Sequence, residues 1–417
     1  MKRAVRGLLV GAIACFLTGA VAAQAADVTV FEGARLIVGD GRAPIEKATL
    51  IVKGADILQA GASAAVRIPR KAKRVNLAGK TVMPALIDTH VHVNQARDVL
   101  VRDLQHLAYF GVGTVMSLGV DTSDEPFRIR AEPVPGAARL FTAGRGITAP
   151  EPGRETAPYW VTTEVEARRA VQENAAKKVD IIKIWVDDRN GKVIKLKPEL
   201  YGAAIDEAHR HGLKAAAHIV KLDDAKGLLR AGIDSFAHSV RDRDVDDDFM
   251  ALLQQHPLFA LNPNLTYRGV PTELGWLQGI VPAPRFEKLS TRNVAQPQAQ
   301  ELFGIQARNL VRMKQAGVRI VLGTDTSFDF PDGDAPWAAH IEMEDMVAAG
   351  LTPMEVLTAA TRNAAELVSH SNAGTLQAGK SADFIVLDAD PLVDITNTRH
   401  IAAVYLRGVA VDRSSYR

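Results

Sequence analysis

His90 and His92 stand two apart at the end of the apolar run TVMPALIDTHVHV, residues 81–93. In an extended strand side chains alternate in direction, so both imidazoles project to one side, a geometry that chelates a metal. A divalent ion needs three or more protein donors, so the pair gains meaning only if further His, Asp or Glu residues stand singly at the ends of later strands. The chain supplies them: His218 ends KAAAHI, His238 ends SFAHS and Asp325 ends IVLGTDT, while Lys183 sits inside VDIIKIWVDD. Any one of these histidines alone reads as a satisfied core or rim residue. Their joint placement at the C-terminal edges of apolar strands points to one shared cavity.

Lys183 is costly to bury charged among Ile181, Ile182, Ile184, Trp185 and Val186. Two readings are open: a salt bridge to Asp187 or Asp188, or a neutral amine that captures carbon dioxide as a carbamate able to bridge two cations. Asp88, on the face of His90, reads equally as a capping group or as a carboxylate behind the ligands. Gly144-Arg145-Gly146 and Tyr267-Arg268 each follow a strand, and their guanidinium forks could grip a substrate carboxylate or form rim salt bridges. His209 and His211 suit the end of a helix. His340 reads as a core or surface residue.

These donors need strands to carry them. Apolar strand candidates at residues 82–89, 114–118, 140–143, 181–186, 213–217, 235–237, 258–261 and 320–323 alternate with helical patterns around 99–110, 164–177, 198–211, 223–231, 246–256 and 300–315, with two more helices after the last strand. Eight strands in such alternation imply a (β/α)8 TIM barrel, whose active sites lie at the C-terminal strand ends. Residues 27–80 and 373–417 instead show short β-like runs between Gly-rich turns and are expected to pair into one small β-sandwich. The Pro-rich stretch 269–300 is the longest irregular segment and is expected as a lid over the barrel mouth.

The whole chain, at 417 residues, 47% hydrophobic and 24% charged, is ordinary for a large globular domain with a smaller companion. Residues 1–25 carry Lys2, Arg3 and Arg6, an apolar run and Ala23-Gln24-Ala25, the pattern of a cleaved secretory signal. Removing it takes the formal charge from +2 to 2 − 3 = −1, which gives no electrostatic footprint for nucleic acid. The single cysteine, Cys15, lies within that segment; its use as a lipid-modified residue would need unusually early cleavage. A mature chain without cysteine must hold any metal through N and O donors. The expected organisation is a signal peptide at 1–25, sandwich halves at 26–80 and 371–417, and a catalytic barrel at 81–370, in a periplasmic or secreted protein that no longer contacts the membrane.

The ordered set His90, His92, Lys183, His218, His238 and Asp325, together with the tail GTLQAGKSADFIVLDADPL, resembles the metal-dependent amidohydrolase superfamily, in its prolidase-like and imidazolonepropionase-like branch. The resemblance runs from about residue 27 to the end. It implies His90 and His92 on one metal, His218 and His238 on a second, Lys183 as the carbamylated bridge made from carbon dioxide, and Asp325 as ligand and catalytic base. Two divalent ions, expected to be zinc, would share a water that ionises near neutral pH, and this bridging hydroxide would attack the carbonyl of an amide, dipeptide or cyclic amide. Many relatives carry Glu-His-Gly where this chain has Ala237-His238-Ser239, a departure that leaves the ligand intact. The expected partner is a small-molecule substrate, and a homo-oligomer is compatible with the sequence. Ester, lactone or phosphotriester hydrolysis is the competing chemistry, and a non-catalytic binding relative the competing class.

Overall fold

The computed structural model describes residues 28–265, 268–328 and 335–414. The expected signal segment, Cys15 and Tyr267 lie outside the described residues. Among the described residues no helix is long and apolar enough to cross a membrane.

Both chain ends meet in one sheet. Val28–Leu36, Ile45–Lys53 and Asp56–Ala62 form an antiparallel meander, and Val28–Leu36 also pairs in parallel with Lys73–Asn76 and Thr81–Pro84. Thr81–Pro84 then pairs antiparallel with Phe384–Leu387, which passes the ladder on to Ile401–Leu406 and Val409–Ala410. The chain ends, expected to pair into one small sandwich, share a single eight-stranded hydrogen-bonded sheet among the described residues, in which Thr81–Pro84 bonds to a strand from each chain end. Alternation explains how this sheet attaches to the rest. Phe384 and Val386 face a cluster with Phe31 and Leu50, whereas Ile385 and Leu387 enter the large core with Leu86 and Val112. The rings of Phe384 and Tyr405 stack at 4.6 Å, and Phe31 meets both edge-on.

All eight parallel strands expected from the sequence are present. Leu86–His92, Val112–Ser117 and Arg139–Thr142 form one parallel sheet, extended by Thr326–Ser327. Ile182–Trp185, Ala215–His218, Ser235–Phe236, Ala260–Leu261 and Arg319–Ile320 follow in order in a second, with the short pair Ile147–Thr148 and Tyr159–Trp160 on its edge. The ladders do not merge into one closed ring. Several late strands last only two residues, and the junctions are short: Asp180 N–H donates to Thr142 O and Thr142 N–H to Asp180 Oδ2, each at 2.9 Å, while Thr89 donates to Leu322 O through its N–H at 2.9 Å and its hydroxyl at 2.7 Å. Even so, Ile87, Met116, Ile181, Ala216, Ala237, Ala260 and Val321 gather from seven of these strands or their ends into one interior cluster.

Helices fill the connections as the pattern predicts. Thr163 and Thr352 each start one with a reciprocal capping box to Glu166 and Glu355. The stretch 269–300 differs from expectation: it folds into the turn Gly275–Leu277 and the helix Ala283–Arg292. Leu277 and Val281 pack with Phe110 and Trp337, and none of residues 269–300 lines the cavity described below. Apolar side chains at helical spacing fasten this stretch to the body.

His340, on the helix Ala338–Ala348, is a core residue. Its Nε2–H donates to the Phe110 carbonyl at 2.9 Å, and Nδ1 lies 3.0 Å from the Thr398 hydroxyl. Burial lowers its pKa to about 3. An unfolded histidine titrates near 6.5, so the stabilisation from keeping this ring neutral is complete above about pH 6.5 and lost as pH falls toward the folded value, by about 1.4 kcal/mol per unit. Urea titrations of wild type and His340→Gln should therefore converge by about 2 kcal/mol between pH 7 and pH 5. A constant difference across that range would show that the ring is not held neutral.

Candidate metal centre and its cavity

The strand Leu86–His92 carries His90 and His92 to one end of the parallel sheets, and the segment after Arg319–Ile320 brings Asp325 against them. Asp325 Oδ1 lies 3.2 Å from His90 Nε2 and 3.0 Å from His92 Nε2, and Oδ2 lies 4.0 Å from His238 Nε2. One ligand atom from each of His90, His238 and Asp325 fits within 4.8 Å of the others, a spacing at which they could hold a metal ion. Asp325 adopts a left-handed backbone, φ 56°, a strain that marks functional sites when packing enforces it. Gly323 permits the approach: a Cβ there would come 2.0 Å from Asn262 Nδ2 and 2.9 Å from His90 Cβ. Asp88 takes the capping role, accepting from His90 N–H at 3.1 Å, Thr324 N–H at 3.0 Å and the Thr324 hydroxyl at 2.7 Å. Burial pushes its carboxyl up to about 7.

Protonation follows from the partners. The Ala237 carbonyl, 3.3 Å from His90 Nδ1, can only accept, so Nδ1 carries the proton. Burial holds the ring neutral, with its pKa well below the usual histidine range, and Nε2 is left with a lone pair. That lone pair faces a carboxylate oxygen. The contact is repulsive unless a cation lies between the two. His238 Nδ1 lies 2.7 Å from Asn264 Oδ1 and 2.8 Å from Arg241 Nη2, which also donates to that oxygen at 3.0 Å, and Nε2 faces Asp325. His218 is turned the other way, with Nε2–H donating to Asp187 Oδ2 at 3.0 Å, which frees Nδ1. Its ring lies 4.5 Å from that of His238. The rings of His90 and His218 are thus each fixed in one tautomer by a group behind them, as metal-binding histidines generally are.

Lys183 is fully buried, and its Nζ has no hydrogen-bond partner among the described residues. Neither carboxylate offered by the sequence takes it: Asp187 is engaged by His218 and Arg189, and Asp188 by Lys221. Burial lowers the amine to about 7, against the pull of Asp325. Gly119 makes room for it, since a Cβ there would meet Lys183 Cγ at 2.7 Å.

Of the expected donors all but Lys183 line a cavity of about 490 Å³, namely His90, His92, His218, His238 and Asp325, and it is lined also by Gln95, Arg154, Trp185 and Arg189. Sequence reasoning assigned no role to the last four. The two arginines it did single out are spent elsewhere. Arg145 donates to the Ala157 and Pro158 carbonyls and lies 4.1 Å over the Tyr159 ring. Arg268 pairs with Glu344 and Asp345. Gly146 serves packing: a Cβ there would fall 2.0 Å from Trp185 Cζ3. His209 and His211 pair with Asp234 and Glu207 at the surface. The only signal for Trp185, Arg154 and Arg189 was their nearness in sequence to Lys183 or to a strand end.

The model of the Amidohydrolase family matches residues 81–411. The chain is 26% identical over 427 residues to the ochratoxinase of Aspergillus niger, covering 89% of this chain and 83% of that one. It is 26% identical over 400 residues to the imidazolonepropionase of Deinococcus radiodurans, with 87% and 92% covered. Among solved structures it superposes with a TM-score of 0.77 on a candidate prolidase from Bifidobacterium longum, at 27% identity and with 94% and 96% of the two chains covered.

Proposed function

This chain belongs to the amidohydrolase family, in its prolidase- and imidazolonepropionase-like branch, and is a hydrolase acting on carbon–nitrogen bonds; from that membership we propose that it works with two divalent cations, expected to be zinc, on an amide, dipeptide or cyclic amide. His90, His92 and Asp325 would hold one ion, His218 and His238 the other, with a carbamate on Lys183 between them. The observation that carries this reading is the His90 Nε2 lone pair 3.2 Å from the Asp325 carboxylate, a contact that asks for a cation. The unpartnered, neutral-leaning Lys183 amine supports the carbamate. We read the two parallel sheets as arcs of one (β/α)8 barrel, a reading supported by the interior cluster to which seven strands contribute. The sheet from the chain ends is read as the small companion sandwich, and residues 1–25 as an export signal to the periplasm or beyond.

When bound, such ions lower the pKa of water toward neutrality and polarise a carbonyl oxygen. The protein's own residues do the rest. Asp325, ionised, accepts the proton of the attacking water and passes it to the departing nitrogen. Asp187 and the Ala237 carbonyl keep the imidazoles of His218 and His90 in the tautomers that offer a lone pair to the cavity, and Asn264 holds the ring of His238 in place. Elemental analysis of purified active protein is expected to approach two ions per chain, and a panel of N-acyl amino acids, Xaa-Pro dipeptides, lactones and aryl esters should show turnover concentrated in the carbon–nitrogen substrates. Full activity at one ion per chain, or turnover confined to esters, would count against the proposal.

A further inference from the structure

We propose that Arg154 and Arg189, joined by Glu151, form a receptor for a carboxylate of the ligand in the same cavity as His90, His92 and Asp325. The proposal rests on the hydrolase reading only in taking that ligand to be the substrate. Arg154 Nη1 and Arg189 Nε both donate to Glu151, each at 2.9 Å, and Arg189 Nη1 donates to Asp187 at 2.8 Å. Two guanidinium groups offer ten N–H donors, and these contacts use three of them. Arg154 Nη2 and Arg189 Nη2 take no partner among the described residues, and both side chains line the cavity. Arg145 and Arg268 differ in that their donors go to backbone carbonyls and acidic side chains, and neither residue lines the cavity.

The pair is also held in place. Arg154 lies 4.6 Å over the ring of Trp185, and Trp185 is fixed because a Cβ at Gly146 or Gly119 would overlap it. A stacked guanidinium presents its donor edge sideways and gives up little freedom when it binds. The ligand class follows from shape and charge. A carboxylate matches the planar fork in a bidentate manner. Glu151 and Asp187 already set two negative charges against the two arginines, so a monoanion meets less repulsion than a phosphate dianion.

The test is calorimetric titration of the full-length, metal-replete protein with 4-methylpentanoate and with its neutral isostere 4-methylpentan-1-ol, neither of which can be hydrolysed. The acid is expected to bind at least about 30-fold more tightly, as charge-assisted hydrogen bonds allow. Arg154→Leu and Arg189→Gln should each reduce that ratio about tenfold or more. Glu151→Gln should tighten the acid severalfold, because it removes a competing charge and keeps the hydrogen-bond acceptor; a misfolded or loosened wall would not give that result. Retention of the wild-type ratio in both arginine variants would place the carboxylate on the ions and overturn the proposal, as would weaker acid binding in Glu151→Gln. If neither arginine variant folds, the sign of the Glu151→Gln effect decides. Turnover enters none of these titrations: a protein that passes them but cleaves no amide overturns the hydrolase reading alone, and one that cleaves amides but fails them overturns the receptor alone.

Discussion

Replacement of Lys183 by alanine is expected to remove stably bound metal and to lower kcat/KM by about 10²-fold or more, at least the loss seen when a group supporting a metal site is deleted. An ordinary lysine has a pKa of about 10.4 and would bring a third positive charge to two cations. Burial brings Lys183 to about 7; Asp325 pulls the other way, and Arg154 and Arg189 add to the lowering. A large neutral fraction is therefore present at neutral pH, and the neutral nitrogen is the one that adds to carbon dioxide. The nitrogen lone pair forms the new N–C bond, one proton leaves to solvent, and the product is an anion with two oxygen donors. Lys183→Arg should be as inactive as the alanine variant, because guanidinium stays protonated and cannot take this step. A short carboxylic acid should restore part of the activity of Lys183→Ala by filling the gap. Carbon-13 carbonate added during metal loading should give a carbamate resonance in wild type and none in either variant. A free ammonium at Lys183 in fully active, metal-loaded protein would end the bridged two-ion proposal.

Asp325→Asn is expected to lower kcat by about 10²- to 10⁴-fold, the range for loss of a general acid–base group, with little change in thermal stability. The left-handed backbone at this position makes asparagine the informative replacement, since asparagine tolerates φ near 56° whereas alanine would add strain of about 1 kcal/mol or more. The amide keeps size and one oxygen donor and loses only basicity. Near-normal turnover by Asp325→Asn, with unaltered metal content, would remove Asp325 from the role of base.

The convergence of His90, His92, His218, His238 and Asp325 on one cavity, the order of the eight strands and the pairing of the two chain ends were legible in the sequence because each is written in local pattern. His90 and His92 lie two apart on a strand, and His218, His238 and Asp325 each follow a short apolar run. Strand period and strand ends are properties of neighbours in the chain, so composition and spacing suffice to find them. What surrounds those donors was not legible in this way. Asp187 behind His218, Asn264 behind His238, and the Ala237 carbonyl behind His90 are fixed by contacts across 31, 26 and 147 positions, respectively. The same holds for the cavity wall. The sequence singled out Arg145 as a possible grip for a ligand and gave Arg154 no role, and only packing shows that Arg145 is consumed by the backbone at 157 and 158 while Arg154 lies on Trp185 with donors to spare. The stretch 269–300 read as a lid because prolines obscure its helical period; its docking on Phe110 and Trp337 depends on surfaces that exist only once the chain is folded. Local sequence thus determined which groups this protein can bring to a metal, and tertiary structure decided their tautomers, their spacing and which charges remain free for a ligand, because those depend on distances between segments far apart along the chain.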